Sequence, residues 1–284
     1  MDNPLVILLL IAAGIILAGI VLKVGFSIPA RVTPPPLYDQ QPAVDDLPIP
    51  PELPAAVQRS LRESFGERAL APQNVLAYGN GRFRIRRIGF LGYLWAPLAW
   101  TIELVPGESF QWRMNMTWFR RTIVEGGDGY QDGKGSFQMG RGKPIENENM
   151  DYSEQVMLWL YTLIFAPGSL LRLPGVSWQA VDDQTAQVQI EHAGRSLSFS
   201  LGFDPQTGQL TRIDTSRPSS GKGDLYPYTL LLEKGQSFNG MTLAAHLQAA
   251  WEGDFYVNYM LAGIQYNGPL EEIDESQGET EEPS

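Results

Sequence analysis

Apolar and polar residues alternate along most of this chain, which is the pattern of β-strands that bury one face. In the clearest segment the apolar face carries Phe110, Trp112, Met114, Met116 and Trp118. The same alternation recurs at 98–104, 188–190, 197–203 and 241–251. Because every segment keeps one polar face, we expect antiparallel strands, since a parallel sheet covered on both sides would show continuous apolar runs.

Turn sequences fall between these segments. Asp132-Gly133, Ala193-Gly194, Glu252-Gly253 and the stretch 204–208 each predict a hairpin connection. The glycine-rich stretch 126–135 is interpreted as a hairpin tip. A calcium loop is disfavoured there because Tyr130 and Met139 stand where an EF-hand needs oxygen ligands.

One predicted helix interrupts the strands, from about Tyr152 to Ala166. Asp151 with Glu154 predicts its start, and Pro167-Gly168 predicts its end. The segment is apolar almost all round, yet it is too short to cross a bilayer, so it must be buried. We therefore predict an α+β fold of mostly antiparallel strands, in which a strongly curved sheet, or half-barrel, holds the apolar helix on its concave side.

An unbroken apolar run from Leu5 to Leu22 predicts one N-terminal transmembrane helix, with the anchor spanning residues 1–28. A cleaved signal peptide would need a basic start, a shorter apolar stretch and a better cleavage site. Lys23 and Arg31 follow the run and by the positive-inside rule favour a cytoplasmic domain. A long stalk favours the opposite side, and the prediction is an extracytoplasmic domain.

Residues 29–53 are predicted to form a proline-rich stalk, 54–270 the curved domain, and 271–284 a disordered acidic tail. Seven acidic residues lie in the tail, so the remaining net charge falls from −11 to about −4. This mild acidity argues against a nucleic-acid partner.

Signals for catalysis are weak. The chain has two histidines and no cysteine, and it carries no serine-hydrolase elbow or phosphate-binding loop. For His192 and His246 an ordinary hydrogen-bonded or exposed histidine is favoured over a catalytic base. The sequence therefore predicts no catalytic residue, no metal site, no cofactor and no enzymatic activity.

The large apolar inventory predicts a cleft, because a half-barrel is too wide for one helix to fill. The candidate ligand-binding residues are Trp112, Met114, Met116, Trp118, Trp159 and Arg217. The alternative for the apolar members is that they pack against the helix as closed core. Arg217 could instead form an ion pair with a buried carboxylate.

Three arginines, Arg82, Arg84 and Arg86, fall on one face of a predicted strand. Clustered cations of this kind can contact anionic lipid head groups. The alternative is a solvated face of the sheet.

Aromatic and glycine positions follow a particular order along the chain: Phe110-x-Trp112, Asp128-x-Tyr130-x-x-Gly133-x-Gly135, Gly142-x-Pro144, Trp178-x-x-x-Asp182, Arg217, Tyr226-Pro227-Tyr228, Trp251 and Ile264-x-Tyr266-Asn267. This order resembles a bacterial membrane-anchored family of unknown function. The resemblance implies a domain similar to the lipoprotein-carrier half-barrel of the LolA, LppX and RseB type. It also implies an extracytoplasmic location.

Together these observations predict a non-enzymatic membrane-anchored module that binds or senses a lipid, a lipoprotein or another hydrophobic ligand. The alternative is a structural or protein-interaction domain of an envelope complex with a closed core. A continuous cavity inside the domain would favour the first function, and a filled interior would favour the second.

Overall fold

A computed structural model of the chain describes residues 4–36, 43–87, 93–219, 223–238 and 241–268. The predicted acidic tail, 271–284, lies outside the described residues. The helices are α1 (Pro4–Ser27), α2 (Ala55–Phe65) and α3 (Glu148–Phe165), with a 3₁₀ turn at Pro167–Leu171. The strands are β1 (Asp45–Pro48), β2 (Arg68–Ala71), β3 (Val75–Arg87), β4 (Tyr93–Val105), β5 (Ser109–Trp118), β6 (Arg121–Gln131), β7 (Lys134–Met139), β8 (Val176–Ala180), β9 (Thr185–His192), β10 (Arg195–Phe203), β11 (Leu210–Pro218), β12 (Leu225–Phe238), β13 (Met241–Trp251) and β14 (Asp254–Tyr266).

Twelve of the strands form one antiparallel sheet in the order β7-β6-β5-β4-β3-β14-β13-β12-β11-β10-β9-β8. Consecutive strands are neighbours except where β3 pairs with β14, and the sheet is open because β7 and β8 are its two edges. The predicted turns at 132–133, 193–194, 204–208 and 252–253 each join neighbouring strands of this sheet. The prediction of antiparallel strands is confirmed.

The predicted inward faces are also confirmed. The apolar residues of β5 from Phe110 to Met116 are buried, and so are those of β4 at 98–104 and of β10 at 197–203. Trp118, at the end of β5, is only partly buried.

Helix α3 lies inside the curve of the sheet. It is buried on all sides from Ser153 to Phe165. It contacts β4, β6 and β7 in one half of the sheet and β11 and β13 in the other. A single helix can touch strands so far apart in the strand order only if the sheet bends around it, so the half-barrel with a buried helix on its concave side is confirmed.

The start of α3 differs from the prediction. The helix begins at Glu148, and Asn147 is its N-cap, with the side-chain oxygen accepting a hydrogen bond from Met150 N at 3.0 Å. Asp151 does not cap the helix, because its carboxylate accepts from Gly135 N at 2.8 Å and from Lys134 Nζ at 3.0 Å. Asp151 therefore ties the helix to the hairpin of β6 and β7.

The glycine-rich stretch 126–135 forms the predicted hairpin, with its turn at Asp132 and Gly133, but the rest of the stretch is strand and not tip. Gly127 lies within β6, where a side-chain carbon would come within 2.3 Å of the Trp112 carbonyl oxygen. Glycine is required at this position because two strand backbones approach each other closely, and not because the chain turns there.

A small second sheet forms from β1 and β2. β1 falls in the segment predicted as a stalk, and Asp45 in it pairs with Arg172 at 2.8 Å. Four residues rich in aspartate and proline carry no detectable alternation, which is why the sequence pattern did not predict this strand.

The apolar helix α1 is, in the described part of the chain, the one helix long and apolar enough to cross a membrane. Its last turn contacts the domain: Gly25 O accepts a hydrogen bond from Phe119 N at 3.1 Å, and Phe26 is buried. The Trp118 indole lies against Gly25 so closely that a side chain there would clash.

Candidate functional site

A cavity of about 250 Å³ lies between α3 and the concave face of the sheet. Seven of its lining side chains are aromatic, three are ionisable, and the rest are methionines and a serine. They are Phe83, Trp112, Asp128, Phe137, Met150, Ser153, Glu154, Met157, Tyr161, Arg217, Trp251, Tyr256 and Tyr259.

Strand register explains one wall of the cavity. Asp128 in β6 lies directly opposite Trp112 in β5 and Phe137 in β7. Side chains of directly opposed residues in an antiparallel pair share a face of the sheet. These three side chains therefore form a row across three strands, facing α3.

Helical periodicity explains the opposite wall. Met150, Ser153, Glu154, Met157 and Tyr161 recur at intervals of three and four residues, so they share one face of α3. A carboxylate and a hydroxyl are thereby presented into a largely aromatic space.

Arg217 in β11 reaches this helix face. Its Nη2 donates to Glu154 Oε1 at 3.1 Å, and its Nε and Nη2 donate to Ser153 Oγ at 3.0 and 2.6 Å. The guanidinium carbon lies 5.0 Å from the ring centre of Tyr228 and 5.1 Å from that of Trp251, so it also makes cation–π contacts. Arg217 thus pairs with a buried carboxylate and also lines a cavity, the two alternatives left open by the sequence.

Burial governs the protonation of the two acids. It raises the pKa of Glu154 to about 7, although Arg217 and Ser153 act in the opposite direction. Burial also raises the pKa of Asp128 well above its usual value, and the neighbouring Glu154 adds to this effect. At neutral pH the cavity therefore contains one guanidinium and less than two full negative charges.

Three buried polar atoms in the cavity wall have no hydrogen-bond partner among the described residues. They are Trp112 Nε1, Asp128 Oδ1 and Glu154 Oε2. An unmet buried donor or acceptor costs about 1–3 kcal/mol, so the protein retains these groups at the expense of stability.

Of the sequence-predicted ligand residues, the structure brings Trp112 and Arg217 together at the cavity. Met114 and Met116 are buried further along the same face of β5, and Trp118 packs on Gly25 of α1. Trp159 is only 1% exposed and lies edge-on to His192, with the two ring centres 5.3 Å apart.

The predicted head-group arginines have different surroundings. Arg82 Nη2 donates to Ser27 O at 3.1 Å, beside the end of α1. Arg84 forms two hydrogen bonds to Asp254, at 2.5 and 2.7 Å, and lies over the Tyr93 ring. Arg86 belongs to β3, but its side chain lies outside the described part of the structure.

Neither histidine lies in the cavity. Gln155 Nε2 lies 3.0 Å from His192 Nδ1, and burial lowers the pKa of His192. His246 lies 3.1 Å from Glu233 on the other face of the sheet. Within the described ranges, no three residues of the metal-ligating types are grouped closely enough to hold an ion.

Sequence reasoning missed the two acids of the site. Glu154 was assigned to the helix start, and Asp128 to a hairpin tip. A carboxylate inside an otherwise apolar helix, and an aspartate on the same strand face as Tyr130, were the available signals.

A family model for DUF6544, a family of unknown function, matches residues 44–260. The chain belongs to this family. The match begins at the residue before β1 and ends inside β14, so it covers the curved domain. A comparison with curated proteins gave no match.

Solved structures similar to this DUF6544 protein include a LolA superfamily protein from Nitrosomonas europaea, with 9% identity and a TM-score of 0.41, covering 76% of this chain and 94% of that one. A DUF1329 family protein from Desulfovibrio piger is similar with 10% identity and a TM-score of 0.42, covering 77% and 95% of the two chains.

Proposed function

We propose that this protein is a single-pass, membrane-anchored binding module whose cavity takes a hydrophobic ligand, and that it is not an enzyme. The observation that carries the proposal is the cavity of about 250 Å³ lined by seven aromatic side chains. A second apolar pocket, between α2 and the sheet, holds only about 70 Å³. A larger pocket of about 580 Å³, beside β6, β7 and the start of α3, is lined mainly by polar residues.

The volume limits the ligand. At about 30 Å³ for each water molecule in the liquid, the cavity has room for about eight waters. A small apolar molecule, or one end of a lipid, fits this space, whereas a whole two-chain lipid does not. Phe137, Trp251, Tyr256 and Tyr259 are partly exposed, which gives a ligand a way in on their side.

The anchor is part of the proposal. Helix α1 is 24 residues long, and its last turn is fixed to the domain through Gly25 and Phe26. A span that ends there would hold the domain against the membrane surface, with Arg82 beside the head groups. We place the domain outside the cytoplasm. A reporter protein that is active on only one side of the membrane, fused after the last residue of the chain, tests this orientation.

Met157→Trp tests ligand binding, because the larger side chain would occupy the cavity. We expect at least a tenfold loss of the ligand that co-purifies with the full chain, measured by native mass spectrometry from a mild detergent. The matched control is Met241→Trp, the same change at a buried methionine outside the cavity lining.

The control is expected to keep its ligand even where it lowers the melting temperature as much as Met157→Trp does. Equal ligand content in wild type and Met157→Trp, or no ligand in either, would contradict the proposal. That result would favour the interaction domain with a closed core.

A further inference from the structure

The unmet hydrogen bonds of the cavity define what a ligand must offer. Two of the three unpartnered atoms are carboxyl oxygens, Asp128 Oδ1 and Glu154 Oε2, and one is the indole N–H of Trp112. Glu154 is only 1% exposed and Trp112 only 3%, so these two side chains have little contact with bulk water. A group that donates two hydrogen bonds would satisfy both carboxyl oxygens, while the indole N–H of Trp112 would still need an acceptor.

The charges of the cavity also favour a ligand that donates hydrogen bonds. Asp128 and Glu154 face one cation, Arg217, which is already paired with Glu154 Oε1. The other titratable groups near them are Tyr161, Tyr228, Tyr256 and Tyr259. Burial raises the pKa of each of these tyrosines, so at neutral pH they carry no charge. Burial keeps part of this acid pair protonated, and Arg217 balances only one negative charge, so a second cation is needed for both carboxyls to be ionised.

Aromatic rings complete the environment of a cation. Trp112 and Tyr259 meet edge to face with ring centres 6.2 Å apart, and Phe83 and Tyr256 do so at 5.6 Å. Ring faces attract ammonium groups, and desolvation strengthens this attraction. The cluster already stacks one cation, because Arg217 lies over Tyr228 and Trp251.

We propose that the ligand of this cavity carries an ammonium group, which donates hydrogen bonds to Asp128 Oδ1 and Glu154 Oε2 and lies against the aromatic wall. The inference rests on the proposed function, since it names the polar end of the hydrophobic ligand. The apolar part of that ligand contacts Met150, Met157 and Phe137. An anionic ligand would add a third acid to the site and is disfavoured.

Three probes of equal chain length test this inference on the full chain in detergent: hexylammonium, 1-hexanol and hexanoate. Binding is followed by tryptophan fluorescence at pH 8. We expect hexylammonium to bind at least tenfold more tightly than hexanol, and hexanoate to bind more weakly than both. The affinity for hexylammonium is expected to fall toward pH 5, by up to about tenfold for each pH unit, because protonated acids no longer attract a cation.

Two variants separate the roles of the acids. Asp128→Asn and Glu154→Gln are each expected to weaken hexylammonium binding at least tenfold and to leave hexanol binding within about twofold. Asp254→Asn, at an exposed carboxylate outside the cavity lining, is the matched control and should change neither. Asp128→Asn keeps the Arg217–Glu154 pair, so it remains informative if Glu154→Gln fails to fold.

Failure of this inference is distinguishable from failure of the proposed function. If hexanol or hexanoate binds as tightly as hexylammonium and Met157→Trp abolishes that binding, the cavity takes a ligand but the ammonium assignment is wrong. If none of the probes binds but a ligand co-purifies with the full chain, only the ammonium assignment is overturned. If none binds and no ligand co-purifies, both proposals are overturned.

Discussion

Replacing Arg217 with methionine is expected to lower the free energy of unfolding by about 3–5 kcal/mol, because it leaves a buried carboxylate without its cation. The side chains of Arg217 and Glu154 are only 9% and 1% exposed. The variant also removes both guanidinium hydrogen bonds to Ser153 Oγ. Urea unfolding of the full chain in detergent, followed by tryptophan fluorescence, measures the loss.

The double variant Arg217→Met/Glu154→Met is expected to be more stable than Arg217→Met alone, because no uncompensated charge remains. Arg68→Met is the matched control. Its ion pair with Asp46 has both side chains about half exposed, and the change should cost no more than about 1 kcal/mol. Equal losses in Arg217→Met and Arg68→Met would show that the buried pair has no special role.

Stability is expected to fall as the pH rises from about 4.5 to 7, by about 3 kcal/mol. Burial raises the pKa of Glu154 from 4.5 to about 7, so in this range the folded protein holds a proton that the unfolded chain has released. Raising the pH therefore favours the unfolded state until Glu154 is ionised in both states. Burial also raises the pKa of Asp128, which adds a decline of the same sign.

Urea unfolding between pH 5 and 8 measures how the free energy of unfolding changes with pH. Glu154→Gln is expected to reduce this dependence on pH. If the stability of the wild type rises across the same range, Arg217 lowers the pKa of Glu154 by more than burial raises it. The account of the cavity electrostatics would then be wrong. The ammonium ligand is expected to reverse part of the decline, because it stabilises the ionised acids.

The sequence was sufficient to predict the sheet and its inner helix, because both follow from local periodicity. A residue such as Phe110 or Trp112 must face inward wherever its strand is placed, and a helix as apolar as 156–165 must be buried. Asn147 was not recognised as the cap, because Asp151 and Glu154 offered a second capping pattern. In the structure the Asp151 carboxylate instead accepts hydrogen bonds from Gly135 and Lys134 of the adjacent hairpin.

The site was less predictable, because it depends on contacts between residues far apart in the chain. Arg217 was recognised as a candidate, and its partner Glu154 lies 63 residues away. Trp112 and Asp128 face each other only through the register of β5 and β6, which the turn between those strands sets. Tyr256 and Tyr259 reach the cavity because β14 pairs with β3 in the middle of the sheet, and no local pattern encodes that pairing.

An experimental structure of the full chain, purified from its membrane without added ligand, tests the central claim most directly. We expect non-protein density between α3 and the sheet, with one end within hydrogen-bond distance of Asp128 Oδ1 and Glu154 Oε2. A cavity that contains only ordered water, or that has collapsed onto Met157 and Trp112, would contradict it.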